Sequence, residues 1–264
     1  MPASRRPLLL ALLGAIAGAA RAGPACAAGG YEVGLGISGH LAYEEADRRR
    51  AGGLLPDLVR LAAERTGFRL QVRAYPLARL VRMLERRELP VLGLRLWTPQ
   101  RPEIVPLLVA TPLLWVRASH AGRALDALLA DPTVIFGRLS TGTVSAWVDK
   151  RLDALPPARV EPSRDPSALL RTLAVGHVHA AFSMPLMQRV MHTESYDWQA
   201  LRSRSLPEAG QTVGGLQIEA SRICAADAKA LRAALAGLRD DGSLWRLLQQ
   251  HLGEQALPAM VWRP

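Results

Sequence analysis

Lysine is all but missing from these 264 residues: Lys150 and Lys229 are the only two, so arginine carries almost all of the positive charge. A chain rich in arginine, alanine and leucine with so little lysine fits a GC-rich coding bias. No interleaving of aromatic and basic residues marks a nucleic-acid face. The formal net charge of +10 therefore reads as a solvated basic surface, with no nucleic-acid partner. Cysteine is scarce too. Cys26 and Cys224 are too few for a disulfide framework, and neither CxxC nor any metal-type Cys/His spacing occurs. Beyond the N-terminus no uninterrupted apolar run reaches about 18 residues, which excludes stable membrane insertion of the mature chain. There is no Gly-x-Ser-x-Gly elbow. Gly34-Leu35-Gly36 lies inside a strand pattern without the third glycine of a dinucleotide fingerprint. Carboxylates concentrate in helices and loops, and no positioned acid–base pair is found, so no enzyme activity, cofactor or metal is expected.

Hydrophobic residues make up 49% of the chain, ample for a packed core and against disorder. Arg5 and Arg6 precede an apolar stretch over residues 8–20 and then small residues. This order is a secretory signal peptide, assigned to residues 1–28, and its apolar core is too short to span a membrane. Ala20-Arg21-Ala22 and Ala25-Cys26-Ala27 both fit a cleavage site. Cleavage after Ala22 leaves Cys26 and Cys224 as a possible pair, whereas cleavage after Ala27 or Ala28 leaves Cys224 alone.

Residues 31–37 alternate like a first strand, and a polar loop over 38–53 follows. Leu54, Leu55, Leu58, Leu61 and Ala62 then recur at helical spacing, and Thr66-Gly67 closes the helix with a residue suited to a left-handed cap. Asp57 fits an N-terminal helix carboxylate facing the helix dipole. Residues 68–74 alternate as a second strand. Tyr75-Pro76 opens a helix carrying Leu77, Leu80, Val81 and Leu84, and 91–96 reads as a buried strand. The order β-α-β-α-β predicts a parallel sheet with helices on its faces. Further on, the pattern predicts a strand leaving this unit at 112–116, a short helix at 124–130, a strand at 133–137 and a helix at 144–155. A proline-rich connection at 156–166 and a helix at 167–175 follow. A turn at 176–179, with His177 and His179 pointing to opposite sides, enters a buried strand that reaches Ser183. A helix at 185–192, a returning strand at 213–219 and helices at 226–239 and 244–252 complete the chain.

The stretch from Tyr75 to Pro112 carries a resemblance. Pro76-Leu77-Ala78-Arg79, the strand at 91–96, Thr98-Pro99-Gln100-Arg101 and an apolar segment ending at Pro112 follow in an order and spacing similar to the family 3 periplasmic solute-binding proteins. These are receptors of ABC importers for amino acids and related molecules. The resemblance runs over nearly the whole mature chain. It implies an α/β, two-lobed type II periplasmic binding protein, each lobe a mostly parallel sheet flanked by helices, with two hinge crossovers. Lobe 1 takes residues 29–115 and 211–264, and lobe 2 takes 116–210. The implied function is to clamp an anionic organic solute in the periplasm, as a monomer serving an ABC permease. A dehydratase-like enzyme on the same fold, or a solute sensor without transport, is the alternative.

The resemblance and the local chemistry together assign candidate ligand residues. Arg101, at the end of the turn after a buried strand, presents a planar fork suited to a carboxylate. Thr98 lies in the same turn, and Trp97 precedes it as a possible stacking surface. Tyr43 matches the aromatic with which the family covers its ligand. Ser140, Thr141 and Thr143 sit where a strand meets a helix N-terminus, an anion-friendly junction. Ser183 ends the buried strand of the second lobe. The chain departs from the family in two places: His179 stands where an aspartate belongs, and Met184 where amino-acid binders place a carboxylate for the ligand's ammonium group. A ligand without a free α-amine is therefore expected.

Overall fold

The computed structural model describes residue 26 and residues 30–45, 50–140, 144–187, 197–253 and 260–263. The leader assigned to the N-terminus, and the expected helix beyond residue 187, fall largely outside them.

The chain opens with β1 (Tyr31–Gly36), whose Tyr31, Val33 and Leu35 are buried. A hairpin of β2 (Tyr43–Glu44) and β3 (Ala51–Gly52) follows within the loop that the sequence reads as polar. Helix α1 (Leu54–Thr66) buries Leu54, Leu55, Leu58, Val59 and Ala62 on one face and ends on Gly67 in the left-handed region. Next come β4 (Leu70–Tyr75), α2 (Leu77–Glu85), β5 (Val91–Leu96) and β6 (Ile104–Ala110). The chain then passes to a second sheet. There it forms β7 (Leu113–Arg117), α3 (Leu125–Ala130), β8 (Phe136–Leu139), α4 (Ala146–Asp153), β9 (Val160–Ser163), α5 (Pro166–Ala174), β10 (Ala180–Ser183) and β11 (Leu201–Ser205). It returns to the first sheet as β12 (Thr212–Ile218) and finishes with α6 (Ala225–Asp240) and α7 (Ser243–Leu252).

Each large sheet has five strands, in the orders β4-β1-β5-β12-β6 and β11-β7-β10-β8-β9. Both are mixed. β1 pairs in parallel with β4 and β5, but β12 returns from the other lobe and runs antiparallel to β5 and β6. The second sheet likewise pairs β10–β8 and β8–β9 in parallel, and β10–β7 and β11–β7 antiparallel. The antiparallel pairings all involve strands next to the two passages between sheets. Those passages are short, at Thr111-Pro112 and over residues 206–211. The strand at Leu113–Arg117, which the sequence places at the tail of the first lobe, lies wholly in the second sheet.

Both sheets are covered on two faces. In the first lobe α1, α6 and α7 pack Leu58, Leu235, Leu244 and Leu248 against Val33, Leu35, Leu216 and Ile218, while α2 sets Leu80 beside Tyr75 and Leu92 on the opposite face. In the second, Leu128 of α3 and Val148 of α4 share a cluster with Phe136 and Phe182, whose rings stack at 6.0 Å. Leu169, Leu170 and Leu173 of α5 share another with Trp115 and Ala181. Ser145 caps α4 by accepting from the Val148 amide (3.2 Å) and Asp165 caps α5 by accepting from the Ala168 amide (2.7 Å). Cys26 and Cys224 form a disulfide that ties the start of the described chain to the N-terminus of α6.

Candidate functional site

The carboxyl end of β5 pairs with β12 through Leu96–Gly214 and Arg95–Gly215. The register slips here, and a β-carbon on Gly215 would fall 1.9 Å from the Val105 carbonyl oxygen, so only glycine fits. Beside this bulge a cavity of about 440 Å³ opens between the two lobes, a size that suits a small molecule. The first lobe supplies Leu77, Leu80, Arg95, Thr98, Arg101 and Gly214 among its lining, and the second supplies Leu139, Pro166 and Met184; Leu186, which follows β10, lines it too while packing in the first lobe's core. The walls are mainly aliphatic. Hydroxyls come from Ser38, Thr98 and Thr212, and positive charge from Arg95 and Arg101; no described lining residue is acidic or a histidine.

Arg101 and Thr98 thus face the cavity from the turn after β5. The Arg101 amide donates to the Thr98 carbonyl at 2.9 Å, which closes that turn. Trp97 packs instead against Trp262 (ring centroids 5.3 Å apart), where the C-terminal strand bridge Leu108–Val261 returns to β6. Tyr43 lies in the β2–β3 hairpin, its ring over the α-carbon of Gly52, and is not part of the lining. Ser140 gives both its amide (2.8 Å) and its hydroxyl (3.1 Å) to the Ser163 carbonyl, so its donors serve the β8–β9 pairing. Thr141 and Thr143 lie outside the described residues. Ser183 is 1% exposed and accepts from the Trp115 indole N–H at 3.0 Å in the second lobe's core. Met184, the next residue, does line the cavity.

Arg95 also lines the cavity, and it is absent from the candidates read in the sequence. Its strand reads as an apolar run, so the lone arginine in it passes for a gap in the pattern. That was also the available signal: a charge inside a buried strand needs a partner. Burial first, and then the field of Arg101, push the Arg95 pKa below the usual arginine value, opposed by Glu103. His179 takes no part in this site. Its Nδ1 accepts from the Ile135 amide (2.9 Å), and its ring lies 5.6 Å from that of His120. Burial, then His179, lower the His120 pKa. Among the described residues Cys26, Cys224 and Asp227 come close enough together to hold a metal. The two sulfurs are bonded to each other, however, and Asp227 accepts from the Tyr31 hydroxyl.

No protein-family model matches the chain, and neither does any curated protein. Solved structures do. A histidine kinase sensor domain with similarity to periplasmic binding proteins is 18% identical, with a TM-score of 0.69 over 89% of this chain and 98% of that one. The arginine-, lysine-, histidine-binding protein ArtJ from Geobacillus stearothermophilus is 14% identical, with a TM-score of 0.69 over 85% and 96%. EhuB, solved with hydroxyectoine, is 16% identical, with a TM-score of 0.68 over 86% and 90%. The fold is that of the two-lobed type II periplasmic binding proteins.

Proposed function

We propose that this protein is an exported solute receptor that closes its two lobes around a small carboxylate-bearing molecule. The observation that carries the reading is Arg101, a guanidinium at the end of a strand facing an aliphatic cavity between the lobes. Arg101 is exposed, so a carboxylate's bidentate, charge-assisted pair with it escapes water's screening once the lobes close over it. The solutes in the neighbours' names, basic amino acids for ArtJ and hydroxyectoine for EhuB, support a small organic ligand. Met184 faces the cavity and stands where the resemblance implies an acid for a ligand ammonium, which favours an acid without a free α-amine. With no carboxylate or histidine among the described lining residues, the cleft is suited to holding a molecule and not to moving its protons. The leader and the disulfide fit an oxidising periplasm, with an ABC permease as partner. Solute sensing without transport is a second reading, favoured by the likeness to a sensor domain. A permease whose ATP hydrolysis rises with the loaded protein would separate the two.

Calorimetric titration with a panel of organic acids and amino acids tests the site. The Arg101→Ala variant is expected to weaken acid binding by on the order of thirtyfold to several thousandfold, the range for truncating one partner of a desolvated charge pair. Tight binding that survives Arg101→Ala would refute the clamp.

A further inference from the structure

The cavity holds one cation more than a single carboxylate requires. Arg95 lines it from the last turn of an otherwise apolar strand, one residue from Leu96 and paired across to Gly215. Its Nε is shut off from solvent, and so from the cavity itself, which leaves the outer end of the guanidinium to meet a ligand. The nearest acidic influence, Glu103, acts on Arg95 only through its field and does not line the cavity. Arg101 faces the same space and pushes against Arg95 electrostatically. Two guanidinium groups at an aliphatic cavity repel each other, and the repulsion is strongest once the lobes exclude water. A ligand with one negative charge neutralises one of them and leaves the other unpaired beside it. A ligand with two satisfies both.

We propose that the cognate ligand is a dicarboxylate, two acid groups on a short apolar spacer, with one carboxylate on Arg101 and the second on Arg95. This rests on the reading that the cleft takes an acid at Arg101, and it names the class of acid. The spacer lies along the aliphatic wall formed by Leu77, Leu80, Met184 and Leu186. The Arg95 guanidinium, which lines the cavity, donates to the second carboxylate. Specificity then comes from the partner left unpaired: a monocarboxylic acid of equal length buries Arg95 without an anion.

The test is calorimetric titration of the mature protein with a series of straight-chain dicarboxylates and the monocarboxylates of matching length. The best dicarboxylate is expected to bind about tenfold or more tightly than its monocarboxylate. Arg95→Met should abolish that advantage by weakening the dicarboxylate far more than the monocarboxylate, and Arg95→Lys should keep part of it. Equal affinities for the two series in the unaltered protein, or a dicarboxylate advantage that persists in Arg95→Met, would overturn the proposal and leave the Arg101 clamp standing. If neither series binds the unaltered protein, the clamp itself falls and this proposal with it. Thermal melts of the Arg95 variants confirm that they are folded. Should one fail, the comparison in the unaltered protein still decides.

Discussion

Arg87 holds φ at 52°, the one non-glycine residue with positive φ among those described. It follows α2, where the Arg87 amide donates to the Leu84 carbonyl (3.0 Å) and the Glu88 amide to the Met83 carbonyl (2.9 Å). That pair of bonds is a Schellman ending, whose left-handed position is normally glycine because a β-carbon crowds the backbone there. Arg87→Gly is therefore expected to stabilise the protein by about 1 kcal/mol, read as a higher urea midpoint at unchanged slope. A lower midpoint would mean that the arginine side chain contributes more than the strain it imposes. Other arginines show where the excess charge goes. Arg60 donates to the Ala51 carbonyl, Arg117 to Ala174, Arg232 to Pro102 and Arg239 to Pro106. The composition implied a solvated basic surface, yet much of the arginine is bonded to main-chain carbonyls, which no count of charges shows. The place of Arg101 at the cavity was legible because it ends a recognisable turn. Arg95 was not, because its importance depends on which strand of the other half of the chain lies beside it.

Helix α3 depends for its ending on a residue far along the chain. The Arg159 guanidinium donates to the carbonyls of Leu128 (3.1 Å), Leu129 (2.8 Å) and Val134 (3.0 Å). The first two are among the last carbonyls of α3, which have no partner within the helix. Arg159→Met is expected to cost roughly 2–4 kcal/mol, since it strands several part-buried acceptors at once. Hydrogen exchange should rise first in α3. Protection lost evenly across both lobes, or a stability change within ±0.5 kcal/mol, about that of a neutral surface substitution, would show that solvent replaces the cap. Long apolar elements such as α1, β5, β6 and α6 were readable because their burial follows their periodicity. The edge strands were not. β9 carries Pro162, which an edge tolerates because one side of the strand needs no donor, so the segment reads as a connection. β11, Leu-Arg-Ser-Arg-Ser, has only Leu201 buried and shows no apolar pattern to assign, though polar residues are what an exposed edge calls for. The cavity, drawn from both lobes, has no local signature at all.

At the scale of the whole molecule, the Cys26–Cys224 bond closes a loop of 198 residues in sequence separation. It selects between the two leader sites read in the sequence: the mature chain is expected to begin after Ala22 and keep Cys26. Intact mass under non-reducing and reducing conditions checks this, and a chain starting beyond Cys26 would contradict it. Replacing Cys26 by serine should lower stability by about 2–4 kcal/mol, the usual effect of releasing a long loop. An unchanged melting temperature would show that the bond constrains little. The strand order has a consequence of another kind. β12, the last named strand among the described residues, lies between β5 and β6, and β6 joins the other strands of the sheet through it. A chain emerging from its N-terminus presents β1, β4 and β5 early, with β6 still unattached. The second sheet, drawn entirely from residues 113–205, can close before β12 arrives. The lobe begun first is thus the lobe finished last, and until residue 212 emerges the facing edges of β5 and β6 stand open as a single unfilled slot.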